Sequence, residues 1–219
     1  MKPYYETELG KLYHGDCLEI MPGLEPVDLV LTDPPWNVGK DFGICKDSWT
    51  DKEYRELILI LKSLWPNNVC LILSNRNESL RPWMDNYPAA RMIVCEIGAS
   101  IQTKVNNIRF QWKPILTTCN SRKTIRDVWH GFRWYEEGYY FTEKTYGHPS
   151  PKSIKLMAEC VELFSGIDNI ILEPYLGSGT TAIACERLKR KWIGIEIEEK
   201  YCEIAAKRIE AERKQLKLF

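Results

Sequence analysis

The sequence lacks several features that mark common classes of protein. No apolar run approaches the ~18 residues that a membrane-spanning helix requires, and residues 1–6 contain no apolar signal core. The eight cysteines include no C-x-x-C pair, although zinc sites and disulfide scaffolds use clustered cysteines. We therefore expect a cytoplasmic protein with reduced thiols, no membrane span and no bound metal.

The chain also lacks a net charge, an internal repeat and a low-complexity tract. Its 30 Lys and Arg residues balance 30 Asp and Glu residues, which excludes a uniformly basic surface for nucleic acid. The charge is nevertheless uneven, with a net −5 in residues 1–74, +5 in residues 75–152 and 0 in residues 153–219. A local basic face is compatible with the neutral total.

The basic middle segment is rich in aromatic residues. Eight of them lie between positions 129 and 146, where aliphatic residues are few. Basic residues mixed with aromatic ones are typical of a nucleic-acid surface. The same composition also fits a small aromatic core beside a solvated basic face, and composition alone leaves both interpretations open.

Short apolar runs alternate with amphipathic segments along the 219 residues. This alternation predicts a single α/β domain with room for a small accessory segment. The predicted strands are 27–32, 69–74, 91–97, 170–172 and 192–195. The predicted helices are 51–65, 151–164 with Ser150 as its cap, 180–188 and 199–216.

A glycine loop follows the apolar run at 170–172. Gly177, Gly179 and Ala182 fit the pattern G-x-G-x-x-A, in which glycines allow the backbone to approach a ligand and the helix start offers N–H groups. Glu196, 19 residues after Gly177, suits a carboxylate that binds ribose hydroxyls. The pattern indicates a cofactor that contains a nucleoside; a plain strand-to-helix turn is the alternative.

Too little chain follows this loop for a dinucleotide fold. Only 37 residues lie beyond Ala182, and the second mononucleotide half that such a fold needs is absent. The rest of the sheet must come from the N-terminal part of the chain. We therefore expect a circularly permuted order and disfavour a nicotinamide cofactor.

The second motif is Asp33-Pro34-Pro35-Trp36, which follows the apolar run at 27–32. Two prolines end a strand and stiffen the loop after it. Asp33 and the carbonyl of Pro34 would present two fixed acceptors beside the flat face of Trp36. This arrangement suits a planar heterocycle with an exocyclic amino group, although a rigid turn with a packed tryptophan is the simpler interpretation.

Together these motifs resemble the S-adenosylmethionine-dependent amino-methyltransferases of DNA (N6-adenine/N4-cytosine), in the beta-type subgroup whose catalytic motif precedes the glycine loop. The resemblance rests on Gly15-Asp16, on Asp33 to Trp36, on His148-Pro149-Ser150-Pro151-Lys152, and on residues 173–181 and 192–196. Glu173, Tyr175 and Ser153 depart from the residues that the family has more often. The resemblance implies a Rossmann-like seven-stranded sheet, one methyltransferase domain over residues 1–219, and a target-recognition insertion at about 98–147.

The resemblance also implies the reaction, a methyl transfer from S-adenosylmethionine to an exocyclic amino group of DNA. The catalytic residues would be Asp33, Pro34, Pro35 and Trp36, with Trp36 stacking on a base that has left the duplex. Aspartate rather than serine at the first position indicates the N6 group of adenine. The alternatives are the N4 group of cytosine, an RNA or small-molecule amine, and a nucleic-acid module without activity.

The cofactor-binding residues implied by the resemblance come from both ends of the chain. Glu196 would bind the ribose, Asp16 the adenine amino group, and His148 and Lys152 the cofactor carboxylate. Asp16 could instead be a helix cap, and Lys152 a solvated helix residue. The full predicted set is Asp16, Cys17, His148, Lys152, Glu173, Pro174, Tyr175, Gly177, Ser178, Gly179, Thr180 and Glu196.

The basic middle third is the predicted DNA-binding part. Its candidate phosphate or base contacts are Arg109, Lys113, Arg122, Lys123, Arg126 and Arg133. Reversing the charge of Arg122 and Lys123 is expected to weaken DNA binding and flatten its salt dependence. The segment is short for a recognition domain. We therefore expect either a short target site or help from a homodimer partner.

Overall fold

In a computed structural model of the protein, the described residues are 1–37, 39, 47–65, 67–73, 77–102, 109–124, 126–132, 147–148 and 151–216. The strands are β1 (Tyr5–Glu6), β2 (Gly10–His14), β3 (Leu29–Thr32), β4 (Val69–Ile72), β5 (Arg91–Gln102), β6 (Arg109–Thr117), β7 (Val128–Phe132), β8 (Ile170–Glu173) and β9 (Lys191–Glu196). The helices are α1 (Cys17–Ile20), α2 (Asp51–Leu64), α3 (Asn77–Asn86), α4 (Ile154–Phe164), α5 (Thr180–Leu188) and α6 (Glu199–Leu216). A short 3₁₀ helix, Met21–Gly23, follows α1.

The strands form one mixed sheet in the order β1-β2-β9-β8-β3-β4-β6-β5-β7. The five strands from β2 to β4 in this order are parallel, β6 is antiparallel to both β4 and β5, and β7 is parallel to β5. The predicted α/β fold is confirmed. The described residues contain nine strands rather than the expected seven, because β1 and β7 extend the sheet at its two edges.

The centre of the sheet joins the two ends of the chain. Strand β8, from the C-terminal third, pairs in parallel with β3, and Leu29 and Ile171 are partners. From this boundary α5 leads outward to β9 on one side, and α2 leads outward to β4 on the other. Such a reversal of strand order opens a crevice at the carboxyl ends of the strands, where ligands bind in open α/β sheets.

Helices cover both faces of the sheet. Met157, Ile183 and Ile209, from α4, α5 and α6, belong to one apolar cluster. Tyr54 and Trp83, from α2 and α3, belong to the other. A parallel sheet with both faces covered needs strands that are apolar throughout, which is why β3 and β4 read as continuous apolar runs.

Strands β5 and β6 extend past the carboxyl end of β4. Ile72 ends β4 and pairs with Ile115, so the β6 residues before Ile115 continue beyond the sheet centre. Their partners in β5 continue with them as far as Gln102. The predicted insertion at 98–147 therefore contains strands of the sheet, and its segments 103–108 and 133–146 lie outside the described residues.

Three helices differ from the sequence prediction, and the short α1 was not among the predicted helices. Helix α4 begins at Ile154 with Ser153 at its N-cap, three residues after the predicted start, and Ser150 lies outside the described residues. The extended backbone before α4 carries Lys152, whose side chain pairs with Asp33. Helix α3 was not predicted, because Pro82 lies inside it and interrupts the usual sequence pattern. Across the described part of the chain, no helix combines the length and apolar character needed to cross a membrane.

The pairing of β2 with β9 gives a test of packing in the sheet. Gly10 lies opposite Trp192, and a Cβ at Gly10 would lie 2.3 Å from the indole ring. Gly10→Ala should lower the free energy of unfolding by about 1–3 kcal/mol, because the buried indole must move. Gly23→Ala is the matched control, since a Cβ there meets no atom within 4 Å. Urea denaturation measures both variants, and equal midpoints would contradict this account of the packing.

Candidate active site

A cavity of about 340 Å³ lies at the crevice between β3 and β8. This size is within the range of small-molecule sites. The predicted site residues that line it are Asp16, Cys17, Asp33, Pro34, Pro35, Trp36, His148, Lys152, Pro174, Tyr175, Gly177 and Glu196. The fold therefore brings both motifs, and the His148 to Lys152 segment, to one cavity.

The loop after β3 is anchored by hydrogen bonds along its length. The Tyr54 hydroxyl donates to the carbonyl of Pro35 at 3.0 Å. The indole N–H of Trp36 donates to the carbonyl of Ile72 at 3.1 Å, and the N–H of Asn37 donates to Asp47 at 2.6 Å. These contacts, added to two prolines of fixed φ, hold the Asp33–Pro34 acceptors in place.

Trp36 is buried against two ammonium groups. Its side chain is 9% exposed, and the Nζ atoms of Lys113 and Lys152 each lie 4.8 Å from the centroid of its ring. Such contacts are attractive, because the face of an indole ring is electronegative. A base that stacked on Trp36, as the sequence predicts, would have to share the ring with these ammonium groups.

The ammonium group of Lys152 forms an ion pair with the carboxylate of Asp33, the first residue of the predicted catalytic motif. Lys152 is 5% exposed, and it lies in the extended segment that precedes α4. The prediction from the sequence was instead that this ammonium group lies near the cofactor carboxylate. Because removing one partner of a buried pair leaves the other charge uncompensated, Lys152 is positioned to control the charge and orientation of Asp33.

Glu196 organises the glycine loop from the end of β9. Its Oε2 accepts the N–H of Gly177 at 2.7 Å, and its Oε1 accepts the N–H of Glu198 at 2.9 Å. Burial raises the pKa of Glu196, and these N–H bonds act in the opposite direction. Each carboxylate oxygen can still accept a second hydrogen bond, so Glu196 can also face a ribose in the cavity that it lines.

The inner side of the glycine loop rests on α6. Arg208 donates to the carbonyl and the hydroxyl of Ser178 at 2.7 and 2.8 Å, and a Cβ at Gly179 would lie 3.0 Å from Ala205. Ser178, Gly179 and Thr180 do not line this cavity, and their predicted contacts with the cofactor stay a prediction. Sequence reasoning missed Arg208, whose one signal is its position three residues after the inward-facing Ala205.

Glu173 lies beneath the cavity and not on its wall. It is 3% exposed and accepts hydrogen bonds from Thr32 at 2.5 Å, from Thr181 at 2.9 Å and from the N–H of Tyr175 at 3.2 Å. Burial raises its pKa to about 8. Glu173 thus ties Thr32, the residue before Asp33, to the glycine loop, and its predicted contact with the cofactor stays a prediction.

Asp16 and His148 complete the cavity wall. Asp16 caps α1, with its Oδ1 accepting the N–H of Leu18 at 2.8 Å, and it also lines the cavity beside Cys17. The ring of His148 packs edge-on against Tyr201, with centroids 4.5 Å apart. Tyr201, from α6, lines the cavity too and was not among the predicted site residues.

The predicted DNA contacts divide between two edges of the sheet. Arg122 donates to the carbonyls of Leu163 and Ser165 at the end of α4, and Lys123 pairs with Glu162 at 2.5 Å. These residues follow the end of β6, which lies beside the first residue of β4. They are therefore at the edge opposite Asp33, and their predicted contact with DNA stays a prediction.

The other basic candidates lie elsewhere. Arg109 begins β6 on the edge that carries the catalytic loop. Lys113 is 7% exposed and lies against Trp36 rather than on an outer surface. Arg126 is exposed just before β7, and Arg133 lies outside the described residues.

Comparison with known proteins decides the family. The sequence pattern of the DNA methylase family matches residues 83–207. The chain belongs to this family, the S-adenosylmethionine-dependent N6-adenine/N4-cytosine DNA methyltransferases. It is 26% identical over 262 residues to the type II methyltransferase M.ScaI of Streptomyces caespitosus, covering 98% of this chain and 86% of that protein.

Solved structures of methyltransferases have the same fold. PvuII DNA methyltransferase (cytosine-N4-specific) superposes with a TM-score of 0.74 at 16% identity, covering 98% of this chain and 94% of the other. The M1.HpyAVI–SAM complex superposes with a TM-score of 0.63 at 22% identity, covering 92% and 100%. Both similarities concern the fold.

S-adenosylmethionine is the cofactor of the DNA methyltransferase described here. The cavity fits it, because a carboxylate suited to ribose hydroxyls, Glu196, adjoins the loop at Gly177, where a Cβ would lie only 2.9 Å from the His148 ring. Positive φ values of 54° and 85° at Gly177 and Gly179 give the loop its shape. Among the described residues no cluster of three or more His, Cys, Asp or Glu side chains could hold a metal ion.

The buried Glu173 predicts a pH-dependent stability. Its pKa is raised from 4.5 to about 8 in the folded protein, so between those values the native state binds more protons than the unfolded chain. The free energy of unfolding therefore falls as the pH rises through this window, by up to ~1.4 kcal/mol per pH unit. Glu173→Gln should remove this slope, because the amide stays neutral.

Urea denaturation at about pH 5 and about pH 8.5 measures the slope. Glu162→Gln is the control, because the pairing of Glu162 with Lys123 lowers its pKa and places its titration below the window. An unchanged slope in Glu173→Gln would refute the assignment.

Lys152→Met tests the ion pair in the methyltransferase site. The single-turnover rate should fall by about 10- to 100-fold, because the Asp33 carboxylate loses the ammonium group that orients it. The affinity for S-adenosylmethionine, measured by calorimetry, should change little. Lys155→Met removes an exposed lysine of α4 and is the control. Weaker cofactor binding at an unchanged rate would instead support the role that the sequence predicted for Lys152.

Proposed function

We propose that this DNA methyltransferase transfers the methyl group of S-adenosylmethionine to the N6 amino group of adenine. The observation that carries the proposal is the anchored pair of acceptors, Asp33 and the Pro34 carbonyl, on the wall of the cavity that the glycine loop also lines. The choice of adenine over cytosine rests on aspartate at position 33, where the cytosine enzymes of the family more often have serine.

The two acceptors address the main chemical difficulty, the low nucleophilicity of an aromatic amino group. Its lone pair is delocalised into the ring, so the nitrogen is planar and unreactive. If Asp33 accepts one amino hydrogen and the Pro34 carbonyl accepts the other, a pyramidal nitrogen with an available lone pair is favoured. Holding this nitrogen in line with the methyl donor supplies much of the rate enhancement.

The carboxylate of Asp33 also matches the charge that develops during transfer. The sulfonium of the cofactor supplies the methyl group, and positive charge appears on the amino nitrogen. A fixed carboxylate beside this nitrogen stabilises it. The methylated nitrogen then releases one proton to the Asp33 carboxylate. The base then carries a neutral methylamino group. The Lys152 ammonium holds the Asp33 carboxylate in place through their ion pair.

We place the DNA on the edge of the sheet that carries Asp33. The target base must leave the duplex to reach a cavity at the carboxyl ends of the strands. Strands β5 and β6 extend past this edge, and Arg109 lies there at the start of β6. Arg122 and Lys123 are excluded from this contact by their position at the opposite edge.

The test is nucleoside analysis of DNA after methylation. Duplex DNA of mixed sequence is incubated with the protein and S-adenosylmethionine, digested to nucleosides and examined by mass spectrometry. We expect N6-methyladenine, and Asp33→Ala should abolish it while cofactor binding by calorimetry is retained. N4-methylcytosine would overturn the choice of base. Methylation of RNA alone, or undiminished methylation by Asp33→Ala, would overturn the proposal as a whole.

A further inference from the structure

We propose that Tyr54 and Trp83 are positioning residues that aim the Pro34 carbonyl at the target amino group. This inference rests on the proposed function, because it assigns that carbonyl the second amino hydrogen. Neither residue belongs to a motif of the family resemblance, and neither lines the cavity. They act from α2 and α3, on the face of the sheet away from α4, α5 and α6.

The two side chains form a hydrogen-bond relay that ends on the catalytic loop. The indole N–H of Trp83 donates to the hydroxyl oxygen of Tyr54 at 3.0 Å. The Tyr54 hydroxyl donates to the Pro35 carbonyl at 3.0 Å, and the carbonyl of Ser79 lies farther away, at 3.4 Å. Because a phenol has one proton, the shorter contact is its main acceptor.

Burial keeps this relay fixed. Tyr54 is 1% exposed and Trp83 is 0% exposed, so no solvent competes for the hydroxyl. Burial raises the pKa of Tyr54 well above its usual value, and the hydroxyl therefore keeps its proton and remains a donor. Trp49, which lines the cavity, stacks on the Tyr54 ring with centroids 6.1 Å apart and limits its rotation.

The covalent geometry of the loop explains why this bond matters. The rings of Pro34 and Pro35 fix both φ angles, and the peptide units are planar. Within the two prolines ψ is therefore the free backbone rotation, and the ψ of Pro34 sets the direction of its carbonyl. The relay holds the next carbonyl, that of Pro35. It therefore restricts the rotation of the peptide units between Thr32 and Trp36.

Both ends of this short segment are held independently. Thr32 donates to Glu173 at 2.5 Å, and the Trp36 indole donates to Ile72 at 3.1 Å. Without the Tyr54 bond, the peptide units between these anchors can rotate together and turn the Pro34 carbonyl away from the amino group. The methyl-transfer rate would then fall although the cavity and the cofactor loop are unchanged.

The first test compares two buried tyrosines whose hydroxyls donate to different backbone carbonyls. Tyr54→Phe removes the bond to Pro35. The control, Tyr87→Phe, removes an equally buried hydroxyl of the same apolar cluster, which donates to the Trp65 carbonyl at 2.9 Å. We expect Tyr54→Phe to lower the single-turnover rate by about tenfold, with unchanged dissociation constants for S-adenosylmethionine and DNA. Tyr87→Phe should keep the native rate, although it should lower the free energy of unfolding about as much as Tyr54→Phe does.

The second test is a double-mutant cycle with Trp83→Phe. If the two residues form one relay, Trp83→Phe lowers the rate by a smaller factor, and the double variant is no slower than Tyr54→Phe alone. The relay is refuted if the two substitutions lower the rate by independent factors that multiply in the double variant. It is also refuted if Tyr54→Phe and Tyr87→Phe have equal rates. Failure of the proposed function is distinguishable, because it would be seen in the native protein, as N4-methylcytosine in DNA or as methylation of RNA alone.

Discussion

The pairing of β3 with β8 is the contact on which the rest of the site depends. It places two strand ends from opposite parts of the chain side by side, one leading to Asp33 and the other to the glycine loop. Glu173 reinforces this contact with hydrogen bonds to Thr32 and Thr181. Because methyl transfer needs in-line alignment of donor and acceptor, the reaction depends on this fixed spacing.

The buried and half-buried carboxyl groups of the site have different tasks. Glu173 is shielded from solvent, and its raised pKa reflects burial that its hydrogen bonds only partly offset. Glu196 uses its carboxylate on the backbone of the glycine loop. Asp33 has a buried ammonium partner in Lys152. Only Asp33 is proposed to touch the reacting nitrogen, so two of the three carboxylates position the machinery.

The sequence predicted much of the fold because its local signals agree with the tertiary contacts. Helices α5 and α6 have the predicted bounds, since a glycine loop precedes one and a charged amphipathic pattern marks the other. Strands β6 and β7 were missed, because their apolar residues read as an aromatic, basic insertion. The start of α4 was wrong, since the pairing of Lys152 with Asp33 is a long-range contact that no local pattern encodes.

The sequence by itself determined the family, the permuted order and the two loops that carry the chemistry, because those features depend on short motifs and their spacing. The tertiary structure decided which residues face the cavity. Glu173, Ser178, Gly179 and Thr180 do not line the cavity. Arg122 and Lys123 lie at the edge of the sheet opposite Asp33. Tyr54 and Arg208 contact the two loops, and Trp83 contacts Tyr54. These positions depend on which helix packs against which loop. The packing is determined by the burial of whole helix and sheet faces, and not by residues that are adjacent in the sequence.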